Sequence, residues 1–114
     1  QGVYILVAKP GFSFKYPIGS SPIFYIGQST NLKRRLIDHH LKWSKEARDD
    51  RQFNLYWPRY EYAAVYGSRY GVIETWQGMT PKALEDIVLS RFAYEYRAFP
   101  VANSQGPWKR INAL

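Results

Sequence analysis

The residues best suited to chemistry in this sequence follow a short apolar segment and carry hydroxyl, amide and basic side chains. Ser29 and Asn31 stand where a helix is expected to begin, so free backbone N–H groups and the helix dipole would favour a phosphate there. Arg35 and His39 are four residues apart on that helix and therefore share one face. A guanidinium fork beside an imidazole can clamp phosphate oxygens. This spacing indicates a phosphate-binding site.

Two tyrosines precede this stretch on segments whose composition predicts strands. Tyr4 lies in the apolar run 2–8, and Tyr25 lies in the run 23–27, which ends at Gly27. The two strands are expected to pair as a hairpin with a long connection through residues 9–22, which contains several turn signals. Such a hairpin would bring both tyrosines close to the start of the basic helix.

Several familiar kinds of active site are excluded by the residue types. The sequence has no cysteine, which removes disulfides, thiolate metal sites and cysteine nucleophiles. Its two histidines, His39 and His40, are adjacent, so the spaced pair of a zinc-binding helix is missing. Neither common glycine-rich phosphate loop occurs. The nine Asp and Glu residues are scattered, which argues against a carboxylate cluster that holds two metal ions.

Charge and aromatic content favour a nucleic-acid partner. The 114 residues carry a net charge of +7, and 18% of them are aromatic. Cations can contact phosphates and rings can contact bases, although the same composition also fits core aromatics beneath a solvated surface.

The length predicts a single domain over residues 1–114. Because the chain begins with Gln1 rather than Met, we expect it to be a piece of a longer protein. No apolar run reaches the roughly 18 residues that a membrane-spanning helix needs. Without a recognisable signal peptide, an intracellular protein with no membrane contact is expected.

The apolar pattern predicts the element order β-β-α-β-α. A first helix is expected from Ser29 or Thr30 to about Trp43, and a second from Thr80, as its cap, to about Tyr96. The third strand is predicted at 61–66, after an irregular stretch at 44–58 and before a turn at 67–71. The tail is expected to pack through Trp108 and Ile111. The fold class is α/β, more narrowly α+β, with a small three-stranded, mostly antiparallel sheet flanked by helices.

The order of these residues resembles the GIY-YIG nuclease domain family. The first signature of that family occurs as Gly2-Val3-Tyr4, and the second occurs as Tyr25-Ile26-Gly27. Residues 27–39 also match the family pattern G-x-[ST]-x-N-L-x-x-R-x-x-x-H. Nine specified positions agree in order: Gly2, Tyr4, Tyr25, Gly27, Ser29, Asn31, Leu32, Arg35 and His39.

The resemblance implies a GIY-YIG nuclease-like fold and hydrolysis of DNA phosphodiesters with one Mg²⁺ or Mn²⁺ ion. The metal would be held by a carboxylate on the later helix. Glu85 is the first choice, Glu95 the second and Glu74 the third. Asn103, which follows that helix after Pro100, would bind the substrate and would support the metal site without contacting the metal itself.

The same resemblance assigns roles in catalysis. Tyr4 would accept or relay the proton of the attacking water, with His39 as the onward acceptor. An ionised tyrosine at pH 7 costs about 4 kcal/mol, so Tyr4 needs a cation or such a relay. Arg35 would neutralise the charge on the phosphate, and Tyr25 would position phosphate or water. The remaining substrate-binding residues would be Gly27, Ser29, Asn31, Lys33 and Arg34.

Two other functions stay open at this point. The first is a non-catalytic nucleic-acid-binding module on the same scaffold, whose binding would weaken with salt without any need for a divalent ion. The second is a protein-interaction module that uses exposed aromatics such as Phe12, Phe14 and Tyr16. For a nuclease, specificity for a DNA target would come from the loops, from a homodimer or from an additional DNA-binding domain.

Overall fold

The central sheet has three antiparallel strands and confirms the predicted class. The structure, a computed structural model, describes residues 1–50 and 58–103. Strand β1 (Gly2–Val7) lies in the middle, between β4 (Ile23–Ser29) and β5 (Arg69–Glu74). The predicted β1–β4 pairing is confirmed, with a bulge after Leu6. The predicted packing of Trp108 and Ile111 lies outside the described residues.

Strand pairing shows which of the predicted site residues lie on the same face of the sheet. Cross-strand partners share a face of a sheet. Tyr4 is opposite Gly27 and Leu6 is opposite Tyr25, so both tyrosines lie on one face. Ile5 and Ile26 are partners on the other face, and helix α4 (Pro81–Tyr96) lines an open cavity with them. The described sheet is therefore covered by different helices on its two sides.

The helix after β4 is longer than predicted and is not α-helical throughout. It begins as α1 (Leu32–Arg34), widens into a π-helical segment (Arg35–Leu41) and continues as α2 (Lys42–Asp50). The N-cap is Asn31, whose side-chain oxygen accepts from the backbone N–H of Arg34, rather than Ser29 or Thr30. The predicted irregular stretch is therefore helical up to residue 50, and residues 51–57 lie outside the described part.

The predicted third strand at 61–66 is wrong, because this segment belongs to helix α3 (Pro58–Tyr66). Pro58 occupies the first helical position, which suits proline. Tyr62 and Tyr66, one helical turn apart, have ring centroids 5.6 Å from each other and both pack on Phe14. The real third strand, β5, begins within the segment 67–71 that was predicted to be a turn.

The connection between β1 and β4 folds into a small hairpin that is packed against the core. Its strands are β2 (Phe14–Lys15) and β3 (Ser20–Ser21). Phe14 and Tyr16 are buried and Phe12 is half-buried, with the Phe12 ring stacked on Tyr66 at 4.7 Å. The prediction that these aromatics are exposed is therefore wrong, and the protein-interaction module based on them has no support in the structure.

Helix α4 follows the sequence prediction closely. Thr80 is its N-cap, with the hydroxyl oxygen accepting from the backbone N–H of Ala83, and Pro81 begins the helix. Leu84 and Phe92 are its buried core residues. After the helix, the backbone N–H of Ala102 donates to the carbonyl oxygen of Phe24, which attaches the chain to the outer edge of β4.

Candidate functional site

The candidate site is built around Tyr4, on the face of the sheet that lies beneath the π-helical segment. Tyr4 is 1% exposed, and its hydroxyl lies 2.7 Å from Nε2 of His40. The Tyr25 ring is beside it, with centroids 5.8 Å apart. The His40 ring meets Tyr4 edge-on at 4.9 Å. The structure therefore brings together both motif tyrosines and one of the two histidines.

Gly27 provides the space in which the two tyrosine rings meet. A Cβ atom at this position would lie 2.6 Å from Cζ and the hydroxyl of Tyr4, and 2.7 Å from Cε2 of Tyr25. At Gly2, a Cβ atom would collide with the backbone carbonyl of Ile73 in β5. Both motif glycines are therefore required by close approach, one to side chains and one to backbone.

A Gly27→Ala substitution is expected to lower the free energy of unfolding by about 1–3 kcal/mol, because the rings must shift to admit the methyl group. Gly71→Ala is the matched control in the same sheet, since a Cβ atom there meets nothing within 4 Å. Urea unfolding of both variants measures the difference. Equal stability of the two variants would contradict this account of Gly27.

The π-helical segment decides which histidine reaches Tyr4. In a π-helix each backbone hydrogen bond spans five residues instead of four, so the chain rotates less per residue and His40 turns toward the face of Arg35. His40 is buried, whereas His39 is half-buried. The α-helical spacing of the sequence prediction placed His39 on the face of Arg35. In the structure the hydrogen-bonded partner of Tyr4 is His40 rather than His39.

Burial fixes the protonation states of the Tyr4–His40 pair. Desolvation, with the charges of Arg59 and Arg35, lowers the pKa of His40 to about 3. Desolvation, followed by the effect of Tyr25, raises the pKa of Tyr4 above its ordinary value. Both groups are therefore neutral at pH 7. When the Tyr4 hydroxyl donates to Nε2, the proton of the imidazole is on Nδ1, which has no hydrogen-bond partner among the described residues.

The depressed pKa of His40 predicts a loss of stability in acid. The unfolded chain takes up a proton near pH 6.5 and the folded chain only near pH 3, so His40 favours the folded state above pH 6.5. As the pH falls from 6.5 toward 3, the unfolding free energy should drop by about 1.4 kcal/mol per pH unit from this group. Chemical denaturation across this range measures the slope.

A pair of histidine variants assigns that slope. His40→Gln is expected to reduce the pH dependence between pH 6.5 and 3, whereas His39→Gln, at the neighbouring half-buried position, is expected to keep it. An unchanged slope in His40→Gln would show that His40 is not the titrating group.

Two arginines from different elements act on the tyrosine–histidine pair. Arg35, half-buried at the start of the π-helical segment, lowers the pKa of both His40 and Tyr4 through its charge. Arg59 of α3 does the same, and its guanidinium carbon lies 5.3 Å from the Tyr25 ring centroid. The sequence analysis missed Arg59. The sequence prediction places the adjacent Pro58 at the end of the irregular stretch, although proline also marks the first position of a helix.

The predicted substrate-binding residues Ser29 and Asn31 have local structural roles. The Ser29 hydroxyl donates to the carbonyl oxygen of Asn31 and accepts from its backbone N–H. The Asn31 side chain caps the helix. Both residues therefore hold the turn between β4 and α1. Lys33 and Arg34 are exposed in the first turn, where they face solvent.

Asn103 anchors the chain to the edge of β4. Its Oδ1 accepts from the backbone N–H of Ile26 at 3.0 Å, and its Nδ2 donates to the Ile26 carbonyl at 2.8 Å. These two bonds continue the sheet pairing with a side-chain amide. These hydrogen bonds give Asn103 a structural role. Support of a metal site by Asn103 would be a second role in addition to it.

The candidate metal ligand Glu85 is not bonded to the tyrosines. Glu85 lies in the first turns of α4, its side chain is 16% exposed, and Oε1 is 3.2 Å from Nζ of Lys82. Lys82 also pairs with Asp86 at 3.0 Å. No hydrogen bond or ion pair among the described residues joins Glu85 to Tyr4 or Tyr25. The alternatives, Glu95 and Glu74, are exposed.

The described acidic side chains fit only a metal site that is built on one or two carboxylates. Within residues 1–50 and 58–103, no three His, Asp or Glu side chains converge to hold an ion by themselves. Mg²⁺ does not require such a cluster, since it keeps several waters and binds through one or two carboxylates and substrate phosphates. Glu85 provides one such carboxylate, partly accessible, on the helix that covers the face of the sheet opposite Tyr4.

Comparisons with known proteins do not assign this chain to a family. No protein-family model, curated protein or solved structure matches the chain. Among the described residues, no helix is both long enough and apolar enough to cross a membrane.

Proposed function

We propose that this chain is a metal-dependent DNA endonuclease of the GIY-YIG type. The observation that carries the proposal is the hydrogen bond between Tyr4 and His40, two neutral groups beside Tyr25 and within the fields of Arg35 and Arg59. Perturbed titratable groups that share a cluster with cations are typical of catalytic sites. The close packing of Tyr4 and Tyr25 against Gly27 also explains why these three motif residues occur together.

The protonation states favour a relay over an ionised tyrosine. Because burial raises the pKa of Tyr4, the phenol is not ionised at pH 7. Its oxygen can accept a proton from the attacking water as its own proton passes to Nε2 of His40, 2.7 Å away. The hydroxide formed in this way attacks phosphorus, the bond to the 3′ oxygen breaks, and that oxygen takes a proton from solvent water. The products are a 5′-phosphate and a 3′-hydroxyl.

Bound substrate would make His40 a better acceptor. The charges of Arg35 and Arg59 hold its pKa down, and a phosphodiester anion beside them would offset part of that effect. Arg35 would also stabilise the charge that develops on the phosphate in the transition state. Tyr25, half-buried with its ring centroid 5.8 Å from that of Tyr4, would link the buried pair to the surface where water and DNA arrive.

Glu85 would hold the divalent ion, Mg²⁺ or Mn²⁺, with water and phosphate oxygens as the other ligands. When bound, such an ion supplies charge stabilisation at the phosphate and at the leaving oxygen. The exposed Lys33 and Arg34, with the net charge of +7, would attract the DNA backbone without regard to sequence.

A non-catalytic nucleic-acid-binding module is the second candidate, and two observations favour it. Tyr4 is 1% exposed, and Glu85 is paired with Lys82 rather than bonded to the tyrosines. In that case the Tyr4–His40 bond would only stabilise the core. Binding would weaken with salt, and no strand would be cut in the presence of a divalent ion.

Cleavage of a DNA panel distinguishes these functions. Supercoiled plasmid, linear duplex, flap and branched substrates are incubated with Mg²⁺ and, separately, with EDTA. We expect cutting that requires Mg²⁺ and is lost in Glu85→Ala, a change that removes an ion pair with the exposed Lys82. Glu95→Ala, on an exposed part of the same helix, is the matched control and should cut normally.

Each contrary outcome has a definite meaning. Cutting that survives in Glu85→Ala but is lost in Glu95→Ala would move the metal to the second-ranked carboxylate. Salt-sensitive binding without cutting of any substrate would reject the nuclease and support the binding module. Absence of both binding and cutting would reject both functions.

A further inference from the structure

We propose that Trp43 stacks on an unpaired base of the DNA substrate, and that the site therefore takes flaps, branch points and single-stranded segments in preference to regular duplex. The inference rests on the proposed function, because it names the class of DNA that the same site binds. It extends the substrate-binding surface from Arg35 along the same helix into α2, beyond the residues of the sequence motif.

The outer surface of this helix combines exposed apolar side chains with cations. Ile37, Leu41 and Trp43 are all exposed. Between positions 33 and 45, the exposed cations are Lys33, Arg34, Lys42 and Lys45, and the one exposed acid is Asp38. An unpaired strand of DNA has the matching chemistry, since its bases offer apolar faces and its backbone is anionic. Charge complementarity therefore favours a nucleic acid as the occupant of this surface.

Trp43 is the partly exposed end of a row of aromatic rings that begins at the candidate site. The centroid of the His40 ring lies 4.9 Å from that of Tyr4 and 5.1 Å from that of Tyr60. Tyr60 is buried, and its ring centroid is 6.4 Å from that of Trp43. Packing on Tyr60 restrains the Trp43 ring, while 39% of the residue remains exposed. A restrained and accessible aromatic ring is suited to stack on a base.

Lys42 makes only a weak contact with this ring. Its Nζ lies 5.9 Å from the Trp43 ring centroid, at the outer limit of a cation–π contact, and the lysine is exposed. A base that stacks on the ring would displace the ammonium group, which would then bind a phosphate of the same strand. The two neighbouring side chains thus suit the two parts of a nucleotide.

The separation between Trp43 and Arg35 indicates which DNA fits. The two residues are eight positions apart, which is at most about 12 Å along a helix. Successive nucleotides of one strand in a duplex are about 3.4 Å apart, so Trp43 lies within a few nucleotides of the phosphate at Arg35. Bases inside a duplex are already stacked on both faces, and an aromatic ring reaches a base only where it has left the stack. A flap or a branch supplies such a base close to the bond that is cut.

Binding in EDTA tests this contact without any need for cleavage. The full 114-residue chain is titrated against a fluorescein-labelled flap substrate, and a relaxed circular duplex without ends is used as the unlabelled competitor. Trp43→Leu keeps an apolar side chain but removes the ring. It should weaken binding to the flap by about 5–150-fold, the range for one base–aromatic stack, and binding to the circular duplex by less than about twofold. Trp76→Leu is the matched control, since Trp76 is 60% exposed in the loop after β5, and it should change neither affinity.

A conservative variant separates stacking from folding. Trp43→Phe keeps an aromatic ring and should bind the flap within about threefold of the wild type. Stacking on a base also quenches tryptophan fluorescence, so the flap should quench the wild type more than it quenches Trp43→Phe. Equal quenching would overturn the contact, and this comparison holds even if Trp43→Leu does not fold. Melting temperatures show whether each variant is folded.

The outcomes separate this inference from the proposed function. Wild-type affinity of Trp43→Leu for the flap, in a protein that cuts DNA, overturns the role of Trp43 alone. Equal losses on flap and circular duplex show that Trp43 acts on the fold or on general attraction, and also overturn it. A loss confined to the flap, in a chain that never cuts, supports the stacking contact and rejects the nuclease. A wild-type chain that does not bind DNA overturns both.

Discussion

Arg35→Ala is expected to slow Mg²⁺-dependent DNA cleavage by roughly 10²–10³-fold, the usual effect of removing one preorganised group that stabilises transition-state charge. Arg35 is half-buried and acts on both Tyr4 and His40. A low-dielectric position strengthens its interaction with a phosphate. The measurement is the single-turnover rate at saturating enzyme, which reports the chemical step rather than binding.

Arg34→Ala is the matched control for this prediction. Arg34 is the neighbouring residue with the same side chain, but it is exposed in the first turn of the helix. Its loss should weaken DNA binding slightly and leave the single-turnover rate within a few-fold of the wild type. Equal rates in the two variants would show that Arg35 only contributes to the general attraction for DNA, as the non-catalytic module requires.

The parts of the fold that the sequence predicted well are those whose local signals agree with their packing. Strands β1 and β4 have apolar, β-branched compositions and pair directly with each other. Helix α4 has a threonine cap, a proline at its start and the buried apolar residues Leu84 and Phe92. In these segments local propensity and tertiary burial favour the same structure, so a single sequence is sufficient.

The misplaced third strand shows where local signals conflict. The segment 61–66 contains tyrosine and valine, which favour strands, yet Tyr62 and Tyr66 pack on Phe14 as one face of a helix. Strand β5 contains Gly71 and is exposed along its whole length, so it has neither the composition nor the burial pattern of a core strand. Its position depends on pairing with β1, which is a contact distant in sequence.

Single residues of the candidate site also depend on tertiary packing that local sequence signals do not reveal. Tyr4, Tyr25 and Arg35, which the motif match singles out, lie in one cluster. The motif match could not show that a π-helical segment would bring His40 to Tyr4, because helical periodicity assumes an ordinary turn. Arg59 was missed for a different reason, since its approach to Tyr25 depends on how α3 packs on the sheet.

Some motif positions are explained by folding alone. Ser29 and Asn31 form the turn that starts the helix, and Asn103 pairs with the backbone of Ile26. Gly27 is required by the tyrosine rings. A sequence motif therefore mixes residues that perform chemistry with residues that hold them in place. Only the hydrogen-bond partners of each side chain separate the two groups.

Tyr4→Phe is expected to reduce the cleavage rate by roughly 10²–10⁴-fold, the range for loss of a general acid–base group. The substitution removes one hydroxyl and keeps the ring that packs on Tyr25 and Gly27. It also leaves Nε2 of His40 buried without its partner, which should lower the unfolding free energy by about 1–3 kcal/mol. Single-turnover cleavage and urea unfolding measure the two effects separately.

Tyr16→Phe distinguishes catalysis from stability in this comparison. Tyr16 is likewise buried, and its hydroxyl donates to the backbone carbonyl of Ile23 at 2.7 Å, so Phe there also leaves a polar partner unsatisfied. Both variants should lose stability to a similar extent, but only Tyr4→Phe should lose cleavage, because only the Tyr4 hydroxyl can pass a proton to an imidazole. If Tyr4→Phe cuts DNA at the wild-type rate, the Tyr4–His40 bond holds the fold together and a different group must activate the water.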